Sequence, residues 1–314
     1  MPATAGQEGV IDRAQQVAET TGSEFLAQMK ADPWTWVHLV AAVVVLGVLV
    51  AVGVLRTGTL KGGRDVSPHP WLIWLACGLL VLGTSWVGGG VVASLLGFGG
   101  IDPTDGGAGG GSALRQQAIA SLAGWGLAVA AALVMRRILA MSAPKAGLEW
   151  RPDGWLKGGI AAVLMWPVVQ AAAIVTTWVV IRAGGDAPDR VAHSTLQTVL
   201  DARGDPWAWV LAGLAIVAAP IVEEFVFRVG LQSAVLGLFK RPWLAILVSS
   251  LTFAAIHMGD PKTAQWPAMA ALWVLGVCLG FAYEKTRSFL IPIIMHAAFN
   301  GANVALALAG VAGE

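Results

Sequence analysis

Eight long apolar runs constrain this chain more than any other feature. They fall at residues 35–55, 71–97, 113–135, 156–181, 207–239, 243–259, 266–283 and 289–309. A helix needs about 20 mostly apolar residues to cross a bilayer. Only helices and closed barrels can satisfy their backbone polar groups there. Barrel strands are short and alternate in polarity, whereas these runs are continuous. The expected fold class is therefore all-α, a polytopic transmembrane helical bundle of about eight spans. Charge points the same way. Charged residues make up 12% of the chain, about half the share in an ordinary soluble domain, which excludes a soluble globular enzyme. A hydrophobic content of 56% excludes a disordered chain.

The 207–239 run is too long for one straight crossing and contains Pro220, whose ring and missing N–H disrupt a regular helical ladder. The expectation is one bent helix, or two segments meeting near Pro220. Trp residues stand at many run ends, among them Trp34, Trp71, Trp155, Trp207, Trp243 and Trp266, as in an aromatic interface belt. Loop charges set the orientation. With the N-terminus outside, the inside segments hold Arg56, Lys61, Arg64, Arg136, Arg137, Lys145, Arg151, Lys157, Lys240, Arg241, Lys285 and Arg287. The outside segments hold Arg13, Lys30, Arg115, Arg182, Arg190, Arg203 and Lys262. This bias favours both termini outside.

Three regions follow. Residues 1–33 form a polar N-terminal tail without the apolar stretch of a signal peptide, expected as a surface helix or a loose segment. Residues 34–200 hold N-terminal transmembrane helices of unassigned role. Residues 201–314 hold the interior ionisable groups. Between the second and third runs, the Gly-rich segment 97–111 reads as a connector; no Lys-Ser or Lys-Thr follows it, so it is not a phosphate-binding loop. A net charge of +1 offers no basic excess for nucleic acid. Cys77 and Cys278, the two cysteines, make neither a disulfide framework nor a thiolate metal site. The expected partner is the lipid bilayer. Oligomeric state is not legible.

A charge at the bilayer centre costs about 2.5–3.5 kcal/mol on insertion scales, so intramembrane ionisable residues mark function by default. Here they are Glu223, Glu224, Arg228, His257 and His296, all in the last third; His38 and Glu284 lie near run ends. Glu224 and Arg228 are four apart and share a helix face, so they can pair. Glu223 points about 100° away and is left to face something else. Phe253 and His257 share a face, and so do His296 and Asn300. Such residues can also be buried structural glue between helices. Together they suit hydrolysis of an amide: a Glu beside a His can deprotonate a water, and a second His with an Asn can hold an oxyanion. Ser249 and Ser250 lie about two turns from His257 and Cys278 has no polar companion, so water is the expected nucleophile.

At these residues the chain resembles the CAAX protease and bacteriocin-processing family (CPBP, or Abi) of intramembrane endopeptidases, which includes the type II CAAX prenyl endopeptidases. The family's motifs are EExxxR, FxxxH and HxxxN or HxxxD. Here they read Glu223-Glu224-Phe225-Val226-Phe227-Arg228, Phe253-Ala254-Ala255-Ile256-His257 and His296-Ala297-Ala298-Phe299-Asn300. The resemblance covers roughly residues 207–309. It implies that Glu223 and His257 activate water, that His296 and Asn300 form the oxyanion site, and that Glu224, Arg228 and Phe253 support them. One departure is Val229 after the motif Arg, where the family often has Gly; Gly230 follows. No cofactor is expected. The family has also been described as metalloproteases, and zinc on Glu223, His257 and His296 is the alternative, although no HExxH is present. Prenylated CAAX peptides, a bacteriocin leader and another membrane protein remain open as substrates. An Ala-, Gly- and Val-rich chain suits a GC-rich bacterium and its cytoplasmic membrane. Two other functions stay in view: a non-catalytic immunity or scaffold protein, and a proton-coupled transporter using Glu223 and His257 as a relay.

Overall fold

The structure is a computed structural model that describes residues 22–56, 58–60, 63–98, 111–185, 194–258 and 266–312. Most of the tail region 1–33 and of the Gly-rich segment 97–111 lies outside the described residues. The elements are α1 (Pro33–Ala51), α2 (Trp71–Leu95), α3 (Gly111–Ser142), α4 (Gly154–Arg182), α5 (Ser194–Asp201), α6 (Pro206–Phe239), α7 (Pro242–Ile256), α8 (Trp266–Thr286) and α9 (Leu290–Ala312). A helical stretch at 22–31 precedes α1. No strand forms among the described residues beyond one isolated bridge between Glu149 and Ser288. Every expected apolar run falls on a helix. Seven of these helices are long and apolar enough to cross a membrane. The eighth run, α7, is apolar but has 15 residues. The chain is an integral, multi-pass membrane protein with an all-α bundle fold.

Two spans begin with the same device. Asp32-Pro33-Trp34 and Asp205-Pro206-Trp207 start α1 and α6. In each, the Asp carboxylate accepts from the Trp backbone N–H, at 3.1 and 2.9 Å, and Pro occupies the first turn, where no N–H partner is needed. The following Trp36 and Trp209 donate their indole N–H to the carbonyls of Lys30 and Arg203. These indoles tie the chain entering each span to its first turns, where an interface aromatic is expected.

Helix α6 is the centre of the bundle. Over half of its most apolar window is buried, 56%, against 11% for α1. It runs unbroken from residue 206 to 239 but widens twice into π-helix, at Leu214–Ala218 and Phe225–Gln232. The first widening ends just before Pro220, so the helix absorbs the proline by a change of pitch and does not split. A π segment leaves carbonyls without their regular partners. Hydroxyls from inside the bundle take them: Ser249 donates to the Phe227 carbonyl at 2.8 Å and Ser233 to that of Arg228 at 3.1 Å. Helix α2 meets the second π segment glycine to glycine. A Cβ on Gly230 would stand 2.9 Å from the Gly78 Cα, so neither position tolerates a side chain.

At the end that loop charges place inside, a buried polar network closes the bundle. Arg64, from the connection between α1 and α2, donates to Glu284 Oε1 through Nε at 3.1 Å and Nη2 at 2.6 Å. Its Nη1 reaches the Ala146 carbonyl and the Ser233 hydroxyl, and its guanidinium lies 3.9 Å over the Tyr283 ring. Gln232 donates to Glu284 Oε1 at 2.9 Å and to the Gly280 carbonyl at 3.1 Å. Both Arg64 and Glu284 side chains are fully buried. The sequence places Arg64 among the loop charges and Glu284 at a run end; the fold makes them one ion pair spanning more than 200 residues of chain.

Candidate active site

The first motif sits where α6 passes from α-helix into its second π segment. Glu223 and Glu224 are consecutive and face different neighbours, as their angular offset requires. Glu224 is fully buried. It accepts from Arg228 Nε at 2.9 Å, and its Oε1 meets His296 Nδ1 at 2.9 Å. Arg228, also fully buried, donates a second bond to the Ser249 hydroxyl at 3.1 Å and lies 5.5 Å over the Phe253 ring. The Glu223 side chain retains 19% exposure, and its Oε2 stands 3.7 Å from His296 Nε2. One carboxylate is therefore held by two cationic or donor groups inside the protein, and the other reaches the open space beside them.

His257 ends α7, as its C-cap residue. Its Nδ1 lies 2.7 Å from the Phe253 carbonyl. A carbonyl can only accept, so Nδ1 carries the proton and Nε2 of the neutral ring is the acceptor nitrogen. That tautomer is the one a general base needs. Phe253 packs between the motifs, with ring centroids 4.8 Å from His257, 5.6 Å from His296 and 5.2 Å from Phe227. On α9, His296 and Asn300 share a face. Asn300 donates from Nδ2 to the Ala215 carbonyl at 2.8 Å, in the first π segment, and this bond fixes the carboxamide's orientation.

All four expected catalytic residues, Glu223, His257, His296 and Asn300, line one cavity of about 750 Å³. It occupies the end of the bundle opposite the Arg64 network. Phe253 lies in the cavity wall, while Glu224 and Arg228 do not line it. Charge alone does not mark Ser249, which ties Arg228 to α7, or the neutral amides Gln117 and Gln170, which bring α3 and α4 into the cavity wall. Their signal was polarity without charge inside apolar runs. No group of three His, Cys, Asp or Glu side chains is gathered as a metal-ligand set among the described residues. His296 Nδ1 meets Glu224 at 2.9 Å, and its Nε2 lies 3.7 Å from Glu223 Oε2.

Residues 205–302 match the family model described as Type II CAAX prenyl endopeptidase Rce1-like, just under a third of the chain. The matched stretch contains all three motifs and every residue of the polar constellation except the α3 and α4 amides. No curated protein and no solved structure matches the chain. Over residues 205–302, the stretch that carries all three motifs, the chain is similar to the Rce1-like family.

Proposed function

We propose that the chain is an integral-membrane endopeptidase that hydrolyses peptide bonds at or within the membrane with an activated water. The observation that carries this reading is the convergence of Glu223, His257, His296 and Asn300, from three helices, on one cavity in an otherwise apolar bundle. Glu223 and the Nε2 of His257 are the proton acceptors for the water. The hydroxide adds to the scissile carbonyl, and the carbonyl oxygen becomes the oxyanion. In its doubly protonated form His296 would give Nδ1–H to Glu224 and Nε2–H to that oxygen, and Asn300 would supply the second donor from the Nδ2 hydrogen not used by Ala215. Collapse of the tetrahedral species sends the accepted proton to the leaving amine. Arg228 holds the Glu224 carboxylate in place, so that Glu224 can orient the His296 ring. Among the open substrates, a peptide or membrane-protein segment fits this site without further assumption.

The test is hydrolysis of an internally quenched peptide library by the full chain in liposomes. Wild type should cleave; Glu223→Ala, His257→Ala and His296→Ala should each lose at least about 10³-fold in kcat/KM while still folded. Full activity in Glu223→Ala sinks the mechanism. Loss of wild-type activity on treatment with a strong chelator, restored by zinc, would replace it with the metal alternative. Absence of cleavage by wild type would favour a scaffold.

A further inference from the structure

The cavity has a second wall that the catalytic motifs do not explain. Gln117 and Ser121 of α3 and Gln170 and Thr177 of α4 line it, at helical spacings that put each pair on one face. Neither glutamine meets a hydrogen-bonding partner among the described residues. A carboxamide inside an apolar span is costly unless something pairs with it, and these two open onto the cavity. Among the described residues, the cavity lining carries no ionisable side chain apart from Glu223, His257 and His296. The wall is thus neutral and rich in groups that both donate and accept.

Packing fixes where each amide stands. Helix α4 runs beside α9 in the same direction: Gly154 meets Leu290, Gly158 meets Ile294, and the Trp166 ring lies tilted, 5.7 Å from that of Phe299. Gln170, one turn beyond Trp166, therefore lies level with Asn300 and Asn303. Helix α3 runs beside α6: Leu114 and Ala118 pack with Ala208 and Leu211. Gln117 is level with the first turns of α6, a dozen or so residues before Glu223, or about 20 Å at 1.5 Å per residue. Amides thus line the cavity from the level of Gln117, past Gln170, to the catalytic residues.

We propose that Gln117 and Gln170 are substrate-binding residues that pair with the backbone of an extended, non-helical peptide segment on its way to the catalytic water. This rests on the endopeptidase reading and adds the form in which the substrate binds. A helical segment has satisfied its own N–H and C=O groups and gains nothing from such a wall. An extended segment brings unpaired ones into an apolar site, where each needs a partner. A carboxamide reproduces the donor and acceptor of a peptide group. Strands rise about 3.3 Å per residue, so about six extended residues reach from Gln117 to Glu223. The role of the N-terminal spans is then to hold the substrate chain.

The test uses the full chain in nanodiscs and an internally quenched peptide that wild type cleaves. Gln170→Leu, and the shape-preserving Gln170→Met, should raise KM about tenfold, with kcat within about twofold of wild type. Gln117→Leu should do the same only for peptides long enough to reach Gln117, about six residues on that side of the scissile bond. Replacing single backbone N–H groups by ester oxygens should weaken wild type at specific positions, and Gln170→Met should be insensitive at one of them. A packing defect would not produce that position-specific loss of sensitivity. Unchanged KM in both variants, or equal sensitivity at every ester position, overturns the proposal while leaving the endopeptidase reading intact. If wild type cleaves nothing, anisotropy of the fluorescein-labelled library decides. Binding weakened by Gln170→Met keeps the groove and removes the peptidase; no binding by wild type removes both.

Discussion

Helix α6 carries two buried polar centres, and they differ in one respect that separates a staple from a site. Near its C-terminal end, Gln232 and Ser233 join Arg64 and Glu284 in a network whose cation is saturated by Glu284, Ala146 and Ser233. None of its residues lines the cavity that holds the catalytic motifs. Near its middle, Glu224 and Arg228 form a similarly buried pair, but the groups around it, Glu223, His257, His296 and Asn300, face about 750 Å³ of open space. Both centres contain a fully buried carboxylate and a fully buried guanidinium. Burial and ion pairing alone thus do not identify chemistry in this bundle. The distinguishing mark is a second layer of polar groups aimed at a volume that a substrate can enter.

The sharpest way to break this contrast is to remove a carboxylate from the closed centre. Glu284→Ala should leave the Arg64 guanidinium buried and unpaired, at a cost of about 3–5 kcal/mol. Unfolding in detergent should show that loss, while activity per folded molecule stays near wild type. Replacing both partners, Arg64→Met with Glu284→Leu, should recover most of the stability, because an apolar pair leaves no stranded charge. A specific loss of kcat in the folded double variant would make the closed centre part of the site.

The open centre should respond in the opposite way. Asn300→Ala should lower kcat by about 10²–10³, the scale of one lost oxyanion donor, with KM and thermal stability little changed. A large stability loss with no kcat effect would mean that Asn300 serves only the Ala215 carbonyl of the π segment, and the oxyanion role would fall.

These two centres also mark how far the sequence could be read. Run length gave the helices, because the bilayer fixes how many apolar residues a span requires. The rarity of charge inside those runs located Glu223, Glu224, Arg228, His257 and His296, and helical spacing alone paired Glu224 with Arg228. Three things were hidden. The partnership of Arg64 with Glu284 depends on a loop folding back into the bundle, which no local pattern encodes. The π segments of α6 arise from tertiary packing around Pro220 and Gly230, where the Gly78 backbone leaves no room for a Cβ. Gln117 and Gln170 carry no charge, so a search for ionisable residues passes over them, although burial of an unpaired amide is also costly.

The smallest effect expected probes the joint between the two kinds of centre. Ser249 accepts from Arg228 Nη1 at 3.1 Å and donates to the Phe227 carbonyl at 2.8 Å. It has no contact with the cavity, so it positions Arg228 through α7 and does not touch substrate. Ser249→Ala removes one bond to a guanidinium that keeps Glu224, and strands one carbonyl of the π segment. The expected cost is about 1–3 kcal/mol of stability, with kcat falling less than tenfold and KM unchanged. Ser249→Thr, which keeps the hydroxyl, should restore kcat even if its extra methyl costs some stability. That split is the discriminating readout: a structural hydroxyl would give kcat that follows folded fraction in both variants. If Ser249→Ala instead lost as much kcat as Asn300→Ala, the buried pair would belong to the chemistry itself, and the line drawn between support and site would have to move inward to include it.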